Sequence, residues 1–151
     1  MIPEEEALNN IKDMGYITVS PRALNPSYYK LNDGTIIKAI VYVNSLIADP
    51  KNPEGFAINS INIVNAFVPK EKRTPERFQP YNQSELREGI VDDDMDFDVL
   101  RENFSVYDLS NGMVLSVKTV VGQITKTKFL TKDGEPVYSI NTNPIIKVKK
   151  K

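Results

Sequence analysis

A mainly β fold, made of two internally duplicated three-stranded meanders forming a six-stranded barrel or sandwich, is what this 151-residue sequence predicts. Three observations carry the prediction. The phrase N-x-S-x-Y-x-L-x-[DN]-G occurs twice, as NPSYYKLNDG from Asn25 to Gly34 and as NFSVYDLSNG from Asn103 to Gly112, a constant offset of 78 residues. Each copy runs into a long stretch rich in Ile and Val, Thr35 to Ile47 and Met113 to Ile124. Ser-Ile-Asn then returns at 60–62 and 139–141, one residue out of step. Self-similarity of this kind marks repeats. It divides a single domain, 1–151, into internal repeats 25–69 and 103–149 with an inserted connection at 70–102.

The first predicted element is a short amphipathic helix from Pro3 to Met14. Pro3 suits the first turn, Glu4, Glu5 and Glu6 complement the positive end, and Gly15 ends it. Ala7, Leu8, Ile11 and Met14 make an apolar stripe, expected to cap an open face of the sheet.

Each repeat then predicts a hairpin and a third strand. Asp33-Gly34 and Asn111-Gly112 are dipeptides suited to a two-residue type I′ turn, which needs positive φ at both central positions. That turn sets Leu31 opposite Ile36 and Tyr29 opposite Lys38, with Leu109 and Tyr107 answering in the second repeat. Ile37, Ala39, Val41 and Val43 fall on the other face. Turn-forming loops, ADPKNPEG and TKDGEP, lead to third strands at 56–68 and 137–148. Three strands expose edges and rarely stand alone, so the repeats are expected to pair, with barrel closure preferred over a sandwich; edges left open would pair with another chain.

The connection changes character. KEKRTPERFQPYNQ is polar and broken by Pro, SELREGI suits a helical turn, and VDDDMDFDVLRENF is expected to hold a second short helix carrying Phe97, Leu100 and Phe104. So long an irregular connection points to a binding surface, and deleting 84–96 is expected to leave folding largely intact.

The chain has no Cys and no His, which removes thiolate chemistry, the commonest zinc ligands, the commonest neutral-pH base and any Ser-His-Asp triad. No spacing of carboxylates singles out an acid/base pair, so catalytic residues and cofactors are both expected to be none. The opening MIPEEEALNN has no export-signal pattern, and the run from Ile36 to Ala48 is interrupted by Lys38, Asn44 and Ser45; no membrane association is expected, and the location is taken as the cytoplasm. Heavy use of Ile, Asn and Lys fits an AT-rich microbial genome.

Two charged stretches supply candidate sites. Asp92, Asp94 and Asp96 offer oxygen ligands to a hard cation, yet Phe97 stands where an EF-hand loop needs Gly and Asn103 where it needs Glu. A solvated acidic linker is the competing expectation. Residues 82–112 hold two basic against nine acidic side chains, whereas residues 113–151 hold eight basic against two acidic. Lys118, Lys126, Lys128 and Lys132, with Phe129, Tyr107 and Tyr138, form the nucleic-acid candidate, binding phosphate and stacking bases. Mutual neutralisation of the acidic linker is the alternative.

A β scaffold with a charged insertion and no reactive side chain suits binding better than turnover. The expected function is a non-catalytic protein-interaction or assembly module whose partner is another protein or a second copy, contacting 70–102 and the exposed edges. A nucleic-acid-binding barrel and a small-ligand or carboxylate-based enzyme are the alternatives.

Overall fold

The computed structural model describes residues 2–52 and 55–150. Helix α1 (Pro3–Asp13) leads into β1 (Tyr16–Ile17), β2 (Val19–Ala23), β3 (Ser27–Leu31), β4 (Ile36–Ala48) and β5 (Phe56–Phe67). Single 3₁₀ turns at Lys70–Lys72 and Pro75–Arg77 precede α2 (Gln83–Glu88), β6 (Ile90–Asp92) and β7 (Phe97–Arg101). The chain ends with β8 (Ser105–Leu109), β9 (Met113–Leu130) and β10 (Pro136–Lys150).

These strands form two antiparallel five-stranded sheets stacked as a sandwich. Sheet A runs β5-β4-β3-β7, with β1 beside the far end of β4; sheet B runs β10-β9-β8-β2, with β6 beside the far end of β9. Barrel closure is therefore corrected. No ladder joins β5 to β10 among the described residues, and the other outer positions are taken by β7 and β2. Those two strands cross over: β2 precedes β3 in the chain but pairs with β8, while β7 precedes β8 but pairs with β3. Each crossover ties one sheet to the other through the chain itself.

The predicted second helix over 91–104 is likewise corrected. Phe97 to Arg101 is a strand, because β3 offers it an open edge and Phe97 packs inward at its start. The last part of the connection, from β6 to β7, is thus built into the sheets. Met95 is 3% exposed within the core and Phe97 meets Tyr29 edge-on at 5.7 Å.

Both repeated hairpins have three-residue loops. Gly34 N–H donates to Leu31 O at 3.0 Å and Gly112 N–H to Leu109 O at 3.0 Å, and the glycines alone take positive φ, +91° and +82°. This is a type I turn followed by a glycine bulge, not a type I′ turn. The extra loop residue moves the register by one, pairing Tyr29 with Ile37 and Tyr107 with Leu115. The recurring Tyr and Leu therefore share the buried face with Ile37, Ala39, Val41 and Val43 instead of opposing it.

Two apolar clusters fill the space between the sheets, and each draws on both. A bulge at Asn44 in β4, and a second at the equivalent place in β9, coincide with gaps in the pairing. On the edge facing β3 and β1, β4 is paired only at residues 36–39 and 46–47. Tyr107 fills the gap: its hydroxyl accepts from Val43 N–H at 3.2 Å and donates to Val41 O at 3.2 Å. Buried backbone groups left without partners are costly, so this hydroxyl replaces a strand.

Helix α1 has no buried residue, and Leu8, Ile11 and Met14 stay exposed. The expectation that it caps an open face is thereby corrected.

Candidate interaction surface

The basic candidates do not gather on one face. Lys118 points outward from β9, with its Nζ 4.8 Å above the Phe104 ring, and Lys147 of β10 stands 4.7 Å from the same ring. Lys126 instead reaches inward to Asp33 of the opposite sheet at 3.0 Å. Lys128 is exposed, 5.5 Å from Phe129, and Lys132 lies in the β9–β10 turn beside Phe78 and Tyr81. The aromatic partners are engaged as well. Tyr107 is buried, Phe129 packs on Tyr81 at 5.0 Å and covers Gly89, and Tyr138 donates to Asp33 Oδ2 at 2.5 Å.

Asp33 sits at the centre of that last group. Burial is the largest single influence and raises its pKa, but the Tyr138 hydroxyl, the Thr35 N–H and Lys126 outweigh it and hold the carboxyl at about 2, against an ordinary 3.8. Burial, then the Asp33 carboxylate, pushes the Tyr138 hydroxyl up. Asp33 and Gly34, read from sequence as turn residues with Asn111 and Gly112, do occupy turns. Asp33 alone of the four also fastens the two sheets together.

The acidic run is a crossover between sheets. Asp92 ends β6, its Oδ1 accepts from Asp94 N–H at 3.1 Å, and Asp96 O accepts from Asn32 N–H at 3.1 Å. Between them Met95 turns inward and donates its N–H to Ile124 O at 2.9 Å. No group of three or more Asp, Glu, His or Cys placed to hold a metal occurs among the described residues, so Asp92, Asp94 and Asp96 are not brought together. A hollow of about 450 Å³ between α2 and β9 is lined by Arg77 and Lys128 along with Glu85 and Glu88, whose charges offset.

The surface that stands out is β5. It pairs with β4 along one side for its whole length and, among the described residues, has no strand on the other. From Gly55 to Val68 the chain carries no charged residue. Its register sets Ile61 beside Tyr42, Ile63 beside Ile40 and Phe67 beside Ile36 on the outer face of sheet A. Ile61, Ile63 and Phe67 remain 52%, 40% and 54% exposed. Between Asn59 and Ile63 both faces of the strand are exposed, with Asn62 bonded to sheet B: its Nδ2 donates to Thr142 Oγ1 and its Oδ1 accepts from Thr119 Oγ1 at 2.9 Å.

The corresponding strand of the other sheet is guarded. β10 contains Pro144, which has no N–H to offer, and turns Lys147 and Lys149 outward while Ile146 and Val148 pack inward. Pro and Lys are the usual protection of a free edge. Sequence reasoning took 56–68 as an ordinary third strand; the overlooked signal is its complete lack of charge beside the Lys-rich counterpart. No helix among the described residues is long and apolar enough to cross a membrane. Comparison with known protein families, characterised proteins and solved structures finds no match for this chain.

Proposed function

We propose that the protein is a non-catalytic interaction or assembly module and that the free edge and outer face of β5 form its contact surface. One observation carries this reading: a twelve-residue edge strand without charge, bearing a row of exposed Ile and Phe. Such an edge offers unpaired backbone donors and acceptors to an incoming strand, and the apolar row adds contact area beside them. The crossover segment 90–101 has a structural duty in this account, and the contact surface moves from the connection to β5. A photoreactive residue placed at Ile63 tests it in cells producing the protein. Covalent adducts at Ile63, and none at Lys149 on β10, are expected; adducts at neither position contradict it.

The same account takes the two halves as products of duplication. The constant offset of the hairpin phrase supports it, and so do the exchanged strands β2 and β7 and the equivalent bulges in β4 and β9. Residues 90–150 expressed alone are expected to dimerise, with the β7 of each copy pairing with β8 of the other in place of β2. A fragment that stays monomeric and unfolded would count against it.

A further inference from the structure

We infer that the strand which covers β5 is β5 of a second copy of this chain, laid antiparallel about a twofold axis through Asn62. The inference rests on the reading of β5 as the contact surface and names its occupant.

A continuous antiparallel sheet across a twofold axis sets residue i opposite residue j with i and j on the same face. In β5 the odd-numbered residues face outward and the even-numbered ones face sheet B, as the pairing with β4 and the packing of Phe56, Ile58, Val64 and Ala66 require. Only registers centred on a residue are then allowed. Centred on Asn62, Ile61 meets Ile63 of the second copy, Asn59 meets its Asn65, and Ala57 meets its Phe67. On the outer face apolar meets apolar, amide meets amide, and the one small side chain meets the one large ring; on the inner face Ser60 meets Val64 and Ile58 meets Ala66. Centring on Ile61 sets Asn59 against Ile63, and centring on Ile63 sets Ile61 against Asn65 and Asn59 against Phe67. Cross-strand pairs of matched character are the unit of sheet stabilisation, so the outer face, which carries the exposed Ile and Phe row, favours the Asn62 register.

Charge points the same way. In a twofold interface the same strand faces itself, so an edge carrying charges of one sign repels its copy; β5 has no charge to repel, whereas the Lys-rich β10 would. Asn59 to Ile63 lie exposed along this open edge, with Asn62 tied to Thr119 and Thr142 of sheet B.

Because the chain has no Cys, single introduced thiols report the register directly. Opposed residues in an antiparallel pair have Cα atoms about 4.5–5.5 Å apart, within reach of a disulfide. Asn62→Cys is expected to form a homodimer on mild oxidation. Ile61→Cys and Ile63→Cys are expected to cross-link when mixed and much less when oxidised separately. Sedimentation of the unmodified chain should give twice its 17.1 kDa mass, falling to that mass in Ile61→Lys with its circular dichroism unchanged. A monomer at every concentration, with no cross-link, overturns the inference; cross-linking by Ile61→Cys alone overturns the register. If Ile63 nevertheless forms adducts with a different protein in cells, the interaction reading survives and self-pairing does not.

Discussion

Asp33, in the first hairpin turn of sheet A, and Lys126, on the longest strand of sheet B, meet at 3.0 Å with Tyr138 donating to the same carboxylate oxygen. Thr35 N–H holds the other oxygen at 2.9 Å, and its hydroxyl lies 3.0 Å from that of Tyr138. The Asp33 side chain is 10% exposed, so the cluster is a polar seam between the sheets and not a surface ion pair.

This seam gives the fold an acid-sensitive component. A carboxyl held at about 2 in the folded chain and near 3.8 when free contributes stability that is fully present above pH 4 and is lost as pH falls through 2. The amount is about 2 kcal/mol. Urea unfolding followed from pH 6 to pH 2 should show that loss, and Asp33→Asn should flatten the 4-to-2 segment while being less stable at pH 6. An unchanged acid profile in the variant would contradict the assignment.

Tyr29 and Tyr107 each replace a missing strand with one hydroxyl. Tyr29 accepts from Val121 N–H at 3.2 Å, just as Tyr107 accepts from Val43 N–H. Phe at Tyr107 keeps the ring and strands two buried backbone groups, at a cost of about 1–3 kcal/mol. Chemical denaturation checks it, and an unchanged midpoint would show that water or a backbone shift serves the same groups.

Burial also pushes the Tyr29 hydroxyl up to about 12, with its hydrogen bond to Glu102 adding to the rise. A raised phenol favours the folded state below pH 10, and that contribution disappears as pH climbs through 12. Ultraviolet titration should therefore show two tyrosines, Tyr29 and Tyr138, ionising well after the exposed ones. Tyr29→Phe should reduce that late step by one tyrosine and leave Tyr138; a late step of unchanged size in the variant would point to a different residue.

Two left-handed glycines should respond differently to alanine. Gly112 has nothing within 4 Å of an added Cβ, so Gly112→Ala costs the backbone strain alone, about 1–2 kcal/mol. At Gly134 the added atom would lie 2.1 Å from Pro75 N, where Thr74 N–H donates to Gly134 O. Gly134→Ala is expected to be the more damaging and to loosen 70–78 from the β9–β10 turn, visible as early proteolysis there. Equal effects at the two sites would argue that this segment is not held.

Met95 tests whether the crossover belongs to the core. Truncation to Ala should cost about 2–5 kcal/mol, the range for a buried Met, and deletion of 84–96 should unfold the chain. Tolerance of the deletion would restore the view of this segment as an appended loop.

Much of the architecture is written in local chemistry. The glycines of the turns, the Ile- and Val-rich strands and the Pro-started helix each follow from backbone preference and so could be read one segment at a time. The register could not, because Asp33-Gly34 suits both a two- and a three-residue loop, and only packing of Tyr29 on the buried face selects between them. Phe97 to Arg101 became a strand because β3 had an open edge, a tertiary fact with no local signature. Lys126 was read as a surface cation because nothing nearby in sequence reveals that Asp33 lies across from it. The β5 surface lay in plain view as a charge-free run, yet burial inside a sheet would produce the same composition; only the topology shows that one side is open.

Amide hydrogen exchange along β5, measured at low and high protein concentration, tests the central claim most directly. The account predicts that alternate amides from Phe56 to Phe67, those turned away from β4, exchange quickly in dilute protein and become protected as concentration rises, with the edge of β10 unchanged. Fast exchange of those amides at every concentration, or protection that develops on β10 instead, would contradict it.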